Sequence, residues 1–150
     1  MENKLQQLTQ KLYEHGCTVY GQDFSQRMIE LAKVKMPKAE LYQGDFTKGL
    51  VETLKQNRYD AIIATYSLHH LTDAEKVVFI ENLRPLLNDG GKIYIGDVMF
   101  GNRVHLEACK ADAGDEWDGD EIYFVVDELQ ARFPQMRFEP LSYCSGVLTL

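Results

Sequence analysis

Two aspartates, a pair of histidines and an acidic stretch around the single tryptophan are the residues that could do chemistry. Asp23 follows the short apolar run Thr18-Val19-Tyr20-Gly21, and Asp45 follows Gly44. A carboxylate at such a point accepts hydrogen bonds from a ligand or caps the element that follows, and for Asp45 the plain alternative is a Gly-Asp turn. His69-His70 can supply a proton acceptor near neutral pH, or one ring can pack and hydrogen-bond locally. Adjacent imidazoles chelate poorly, and no carboxylate is spaced to complete a site, so no metal is expected. Asp112, Asp115, Glu116, Asp118, Asp120 and Glu121 surround Trp117 without the ligand alternation of a calcium loop, and read as a solvated loop.

The elements that must position these residues alternate between two periodicities. Leu5, Leu8 and Leu12 form one apolar stripe of a helix that Gly16 stops. A strand over 18–21 leads to Asp23, and Ser25 caps a helix bearing Met28, Leu31, Ala32 and Met36, closed by Pro37. Ala39 to Gln43 is the next strand, followed by a weaker helix over 50–56. Tyr59 to Tyr66 is nearly all apolar, which suits a strand covered on both faces. Thr72-x-x-Glu75 is a capping box before a helix bearing Val78, Leu83, Leu86 and Leu87. Asn88 to Gly91 reads as a turn and Lys92 to Val98 as a buried strand. The pattern weakens from Phe100 to Tyr123; a helix over 127–133 and a hairpin of strands 136–142 and 147–150 complete the chain. Such alternation predicts an α/β, doubly wound, mainly parallel sheet with one antiparallel C-terminal strand, in a single domain spanning 1–150.

Composition narrows the partners. A formal charge of −7 with no Lys/Arg run disfavours nucleic acid and favours a small neutral or cationic molecule. Neither a membrane span nor a secretory signal is expected, and Cys17, Cys109 and Cys144 show no CxxC or Cys/His spacing. Buried free thiols in a cytoplasmic protein are the expectation.

Taken in order, Val19 to Asp23, Gly44-Asp45-Phe46, Tyr59-Asp60-Ala61-Ile62-Ile63 leading to Ser67-Leu68-His69-His70-Leu71, and Leu86 to Ile93 resemble class I S-adenosylmethionine-dependent methyltransferases of the small bacterial kind. The resemblance covers about residues 8–150 and implies a Rossmann-like fold. In that fold ligands sit beyond the carboxyl ends of the strands. It implies that Asp23, with Phe24 beside it, accepts from the ribose hydroxyls. Asp45 and Phe46 would meet the adenine, and Thr65 and Tyr66 would flank the methionine moiety. Tyr66 then either offers its ring face to the sulfonium or packs the strand end. His69, His70 or Tyr66 would serve a nucleophile that must lose a proton. The acidic segment falls where the family covers its substrate, which would make Trp117 and Tyr123 a lid over a cationic acceptor.

One departure from the family pattern bears on fold and function together. The family order is 3-2-1-4-5-7-6, with a glycine-rich loop after strand 1 that lets backbone approach the cofactor. Placed on this chain, that loop falls on Glu2 to Gln6, which hold no glycine, and strand 1 has no counterpart. Either the strand ending at Asp23 pairs directly with that beginning at Tyr59, or another segment or subunit fills the gap, or the sheet is split; direct pairing, aided by dimerisation, is the favoured expectation. Two functions follow: methyl transfer to a small-molecule acceptor, or a non-catalytic module that keeps the fold without the cofactor. A nicotinamide dehydrogenase ranks below both, since its own glycine fingerprint is equally absent.

Overall fold

The structure, a computed structural model, describes residues 4–150. It divides into two compact units, one ending at Asn57 and the other running from Arg58 to Leu150.

In the first unit, α1 (Lys4–Glu14), β1 (Tyr20–Asp23), α2 (Gln26–Lys35), β2 (Glu40–Gln43) and α3 (Glu52–Lys55) follow one another. Gly16 stops α1 at φ 91°, a conformation costly for a side-chain-bearing residue. Ser25 caps α2 by accepting the Met28 N–H at 3.3 Å. The helix returns the chain so that β2 lies parallel to β1, in register from Tyr20 opposite Glu40 to Asp23 opposite Gln43. Val19, Ala32, Met36 and Ala39 form the core beneath this crossover, with Tyr13 and Leu41 against it. Glu2 and Asn3, part of the stretch matched to the family's loop, lie outside the described residues; Lys4–Gln6 belong to α1.

The second unit holds β3 (Tyr59–Thr65), α4 (Asp73–Leu83), β4 (Leu87–Phe100), α5 (Arg103–Ala113), β5 (Phe124–Val125), α6 (Val126–Gln130), β6 (Arg137–Ser142) and β7 (Ser145–Thr149). Its sheet runs β3-β4-β7-β6, with β5 pairing the far end of β4. β3 and β5 are parallel to β4, whereas β7 is antiparallel to both β4 and β6, as the C-terminal hairpin requires. The capping box is present at α4: Thr72 accepts the Glu75 N–H at 3.2 Å, and the Glu75 carboxylate accepts the Thr72 N–H at 2.9 Å. Within their own sheets the strands follow the family order, 3-2 in the first unit and 4-5-7-6 in the second.

Several expectations are corrected. Among the described residues β1 pairs only with β2 and β3 only with β4, so direct pairing of β1 with β3 does not occur. β3 is accordingly an edge strand, and its apolar run is at most half-buried. Asn88–Gly91 is a bulge inside a continuous β4, because Tyr59 pairs with Leu87 while Ala61 already pairs with Lys92. Where the pattern weakens after Phe100 the structure has a helix: Asn102 caps α5 by accepting the His105 N–H at 2.8 Å, but Leu106 is its only buried residue, so no apolar stripe announces it. The three cysteines are free, yet Cys17 is exposed and the others half-buried.

A β-carbon on Gly146 would stand 2.6 Å from Phe138 Cε2 and 2.9 Å from the Glu139 carbonyl. Gly146→Ala should therefore cost about 1–3 kcal/mol by overpacking, read as a lower urea midpoint. Gly119→Ala, with nothing within 4 Å, should leave the midpoint unchanged.

Candidate functional site

The second unit concentrates its buried charge at the carboxyl end of β3. The strand stops at Thr65, and Tyr66 turns the chain at φ 49° while its N–H donates to the Gly96 carbonyl at 2.8 Å. Leu68, fully buried, anchors the following turn, and His69 is carried inward beside it. In β4 the residues Ile93, Ile95, Asp97 and Met99 occupy one buried face by the two-residue period of a strand. Asp97 is thus a carboxylate in apolar phase, 1% exposed. Its Oδ1 lies 3.1 Å from His69 Nδ1 and accepts the Val98 N–H at 2.8 Å. Its Oδ2 is buried with no hydrogen-bond partner among the described residues. Burial pushes the Asp97 carboxyl above its ordinary value, against the opposing pull of these donors.

The other face of His69 meets the segment before β5. Nε2 stands 3.5 Å from Glu121 Oε1, and the His69 carbonyl accepts the Ile122 N–H at 2.7 Å. The Tyr123 hydroxyl has its pKa raised by burial first and by the Glu121 carboxylate second. Lys76 reaches in from α4, donates to the Ile122 carbonyl and lies 4.7 Å from the centroid of the Phe124 ring. Burial lowers its pKa, and the nearby carboxylates of Asp73 and Asp97 oppose that shift. Trp117 stands edge-on to Tyr123 at 5.2 Å, and both pack against Phe100. Asp97 and Glu121 thus set a carboxylate oxygen beside each ring nitrogen of His69.

The residues singled out from sequence fall into three groups. His69, Trp117 and Tyr123 join this array. His70 is exposed with its ring centroid 4.4 Å from that of His69, and Tyr66 is 49% exposed at its turn. Thr65 is half-buried, with Oγ1 lacking a partner among the described residues. In the first unit Asp23 Oδ1 accepts the Ser25 N–H at 2.8 Å, and Asp45 Oδ1 accepts from the Thr47 N–H at 2.9 Å and hydroxyl at 2.7 Å. Phe24 is exposed and Phe46 half-buried. Both aspartates therefore perform the capping and turn roles given as alternatives, using one oxygen each in these bonds. Asp97 and Lys76 were missed by sequence reading, and Glu121 was read only as part of a solvated acidic loop. For two of them a signal existed: Asp97 interrupts the alternation Ile93, Ile95, Met99, and Lys76 sits in phase with Phe79, Ile80 and Leu83.

Residues 5–93 match the sequence profile of a methyltransferase domain family. The chain belongs to this family. It is 44% identical over 106 residues to an uncharacterized methyltransferase of Anoxybacillus flavithermus, covering 71% of this chain and 49% of the relative. It is likewise 44% identical over 139 residues to one of Bacillus cereus, covering 87% and 64%. The chain thus spans about half to two thirds of the length of these curated relatives. Among solved structures it resembles a magnesium protoporphyrin IX methyltransferase of Synechocystis with bound S-adenosylhomocysteine (SAH), at TM-score 0.67 and 18% identity, over 95% of this chain and 67% of that one. The family is S-adenosylmethionine-dependent, and the fold is the Rossmann-like α/β arrangement expected from sequence. Among the described residues no helix is long and apolar enough to cross a membrane.

The raised carboxyl of Asp97 sets a pH dependence. Because its folded-state pKa lies above the ordinary value of 3.8, its contribution to stability is full below that value and is lost as pH rises through the folded one. Asp97→Asn removes this dependence. Whatever its stability at low pH, the variant should gain on the wild type as pH rises from about 4 toward neutrality. Urea unfolding across that range checks this, and a constant difference would show that Asp97 does not titrate as described.

Proposed function

We propose that this chain forms the adenosine-binding and acceptor-binding parts of an S-adenosylmethionine-dependent methyltransferase for a small neutral or cationic molecule, its two units belonging to one domain. The observation that carries this reading is the Asp97–His69–Glu121 array at the carboxyl end of β3, where a sheet of this type receives its ligand. Asp23, with Phe24, is assigned to the ribose hydroxyls, and Asp45 and Phe46 to the adenine. The carboxylates at the ends of β1 and β2 suit hydroxyl and amino donors. Thr65, whose hydroxyl lacks a partner among the described residues, and Tyr66 are assigned to the methionine end. Residues 4–15 contain no glycine, so this reading assigns no glycine cradle to the methionine moiety.

When bound, the cofactor supplies a methyl group already activated on a sulfonium. The protein's task is then alignment, with the nucleophile held in line at roughly 3 Å. For a nucleophile that carries a proton, His69 is the acceptor, at Nε2, while Asp97 holds Nδ1 and fixes the ring. His70 and Tyr66, both exposed, are assigned no proton transfer. Trp117 and Tyr123 cover the acceptor, and the acidic residues around them suit a cationic one.

Thermal unfolding with SAH tests the reading. A ligand at 100 times its dissociation constant should add about 2.7 kcal/mol of stability. Asp23→Ala should abolish the shift, whereas His69→Gln should keep it. The absence of any shift at millimolar ligand would overturn cofactor binding by this chain.

A further inference from the structure

The methyltransferase reading leaves one buried charge without a task. Lys76 is 1% exposed on the apolar face of α4, where an ammonium costs several kcal/mol to bury and an apolar side chain of similar volume would pack as well. Its contacts explain why a donor is kept. Lys76 Nζ donates to the Ile122 carbonyl, while the N–H of the same residue donates to the His69 carbonyl at 2.7 Å. Ile122 is therefore gripped at both its backbone groups. On one side of it Glu121 faces His69 Nε2 at 3.5 Å; on the other Tyr123 stands edge-on to Trp117. The two charged residues that occupy apolar phase in this unit, Asp97 in β4 and Lys76 in α4, thus converge on one segment, Asp97 acting through His69.

We propose that Lys76 is a positioning residue: by holding the Ile122 carbonyl it seats residues 117–123 as a strap, so that Glu121 and Tyr123 are presented to His69 and define the acceptor side of the site. The word acceptor rests on the methyltransferase reading; the clasp does not.

The test uses the full chain, its single tryptophan and amide hydrogen exchange. Lys76→Met keeps the volume and removes the donor. It should raise the exchange rate at Ile122 roughly tenfold, the effect of losing one hydrogen bond to a charged donor, and make Trp117 more accessible to acrylamide. The amides shared by β3 and β4 should stay unchanged. Lys76→Gln retains an N–H donor and should recover part of the Ile122 protection; if Lys76 only fills space, Met would protect at least as well as Gln. In Glu121→Ala, Trp117 should loosen while Ile122 stays protected by Lys76 and His69, and this variant decides the matter should Lys76→Met fail to fold. Unchanged exchange at Ile122 in folded Lys76→Met, faster exchange spread evenly over Arg58–Leu150, or loss of Ile122 protection in Glu121→Ala would each overturn the proposal. SAH-induced thermal shifts are recorded on the same proteins. A missing shift in the wild type overturns cofactor binding and leaves the exchange result standing.

Discussion

A carboxylate placed among isoleucines and methionine must be compensated, and the arrangement of the second unit's upper end follows from that requirement. Asp97 shares the buried face of β4 with Ile93, Ile95 and Met99. Water cannot solvate it there, so the His69 ring and the Val98 N–H must. To reach Asp97, His69 has to come from a turn that doubles back over the strand end. Tyr66 makes that turn in a left-handed conformation that costs a tyrosine of order 1 kcal/mol or more. Removing one partner of such a buried pair typically costs 3–5 kcal/mol, about 3 kcal/mol above the loss of an ordinary exposed pair. The contact therefore dictates the local backbone and does not merely decorate it.

The same contact organises the segment that follows α5. With Nδ1 engaged by Asp97, the His69 ring turns Nε2 toward Glu121, and its carbonyl is left to receive Ile122. Trp117 and Tyr123 then pack on Phe100, joining a small second core with Leu106 and Val125. Acidic residues dominate this stretch, and Lys76 donates to the Ile122 carbonyl that follows it. Short aromatic packing and a few charge-assisted bonds thus order a segment whose composition alone reads as solvated.

The two units obey one rule of construction but reach different completeness. Each carries a parallel strand pair joined through a helix, and each places its family-matched residues at carboxyl strand ends. The first unit has a two-stranded sheet over the cluster of Val19, Ala32, Met36 and Ala39, whereas the second adds an antiparallel hairpin and α5. Asp23 and Asp45 stabilise their own turns, as short acidic side chains do. A residue used as a cap keeps a fixed orientation, which also suits a ligand-binding carboxylate.

What the amino-acid order determined by itself was everything that depends on local period and local chemistry. The helices from Ser25 and Thr72, the strands over Tyr59–Thr65 and the C-terminal hairpin follow from side chains within a few residues of one another. So does the family resemblance, which rests on short segments in order. What only the tertiary structure decided were the relations that cross the chain. Asp97 lies 28 residues from His69 and Lys76 lies 46 from Ile122, so no local pattern links them. α5 stayed illegible because a helix that buries one leucine leaves no stripe to read. Pairing of β1 with β3 was inferred from the cost of open strand edges. The structure put the strands in separate sheets: an open edge is a liability that a protein can tolerate, and among the described residues β1 and β3 each pair on one side only.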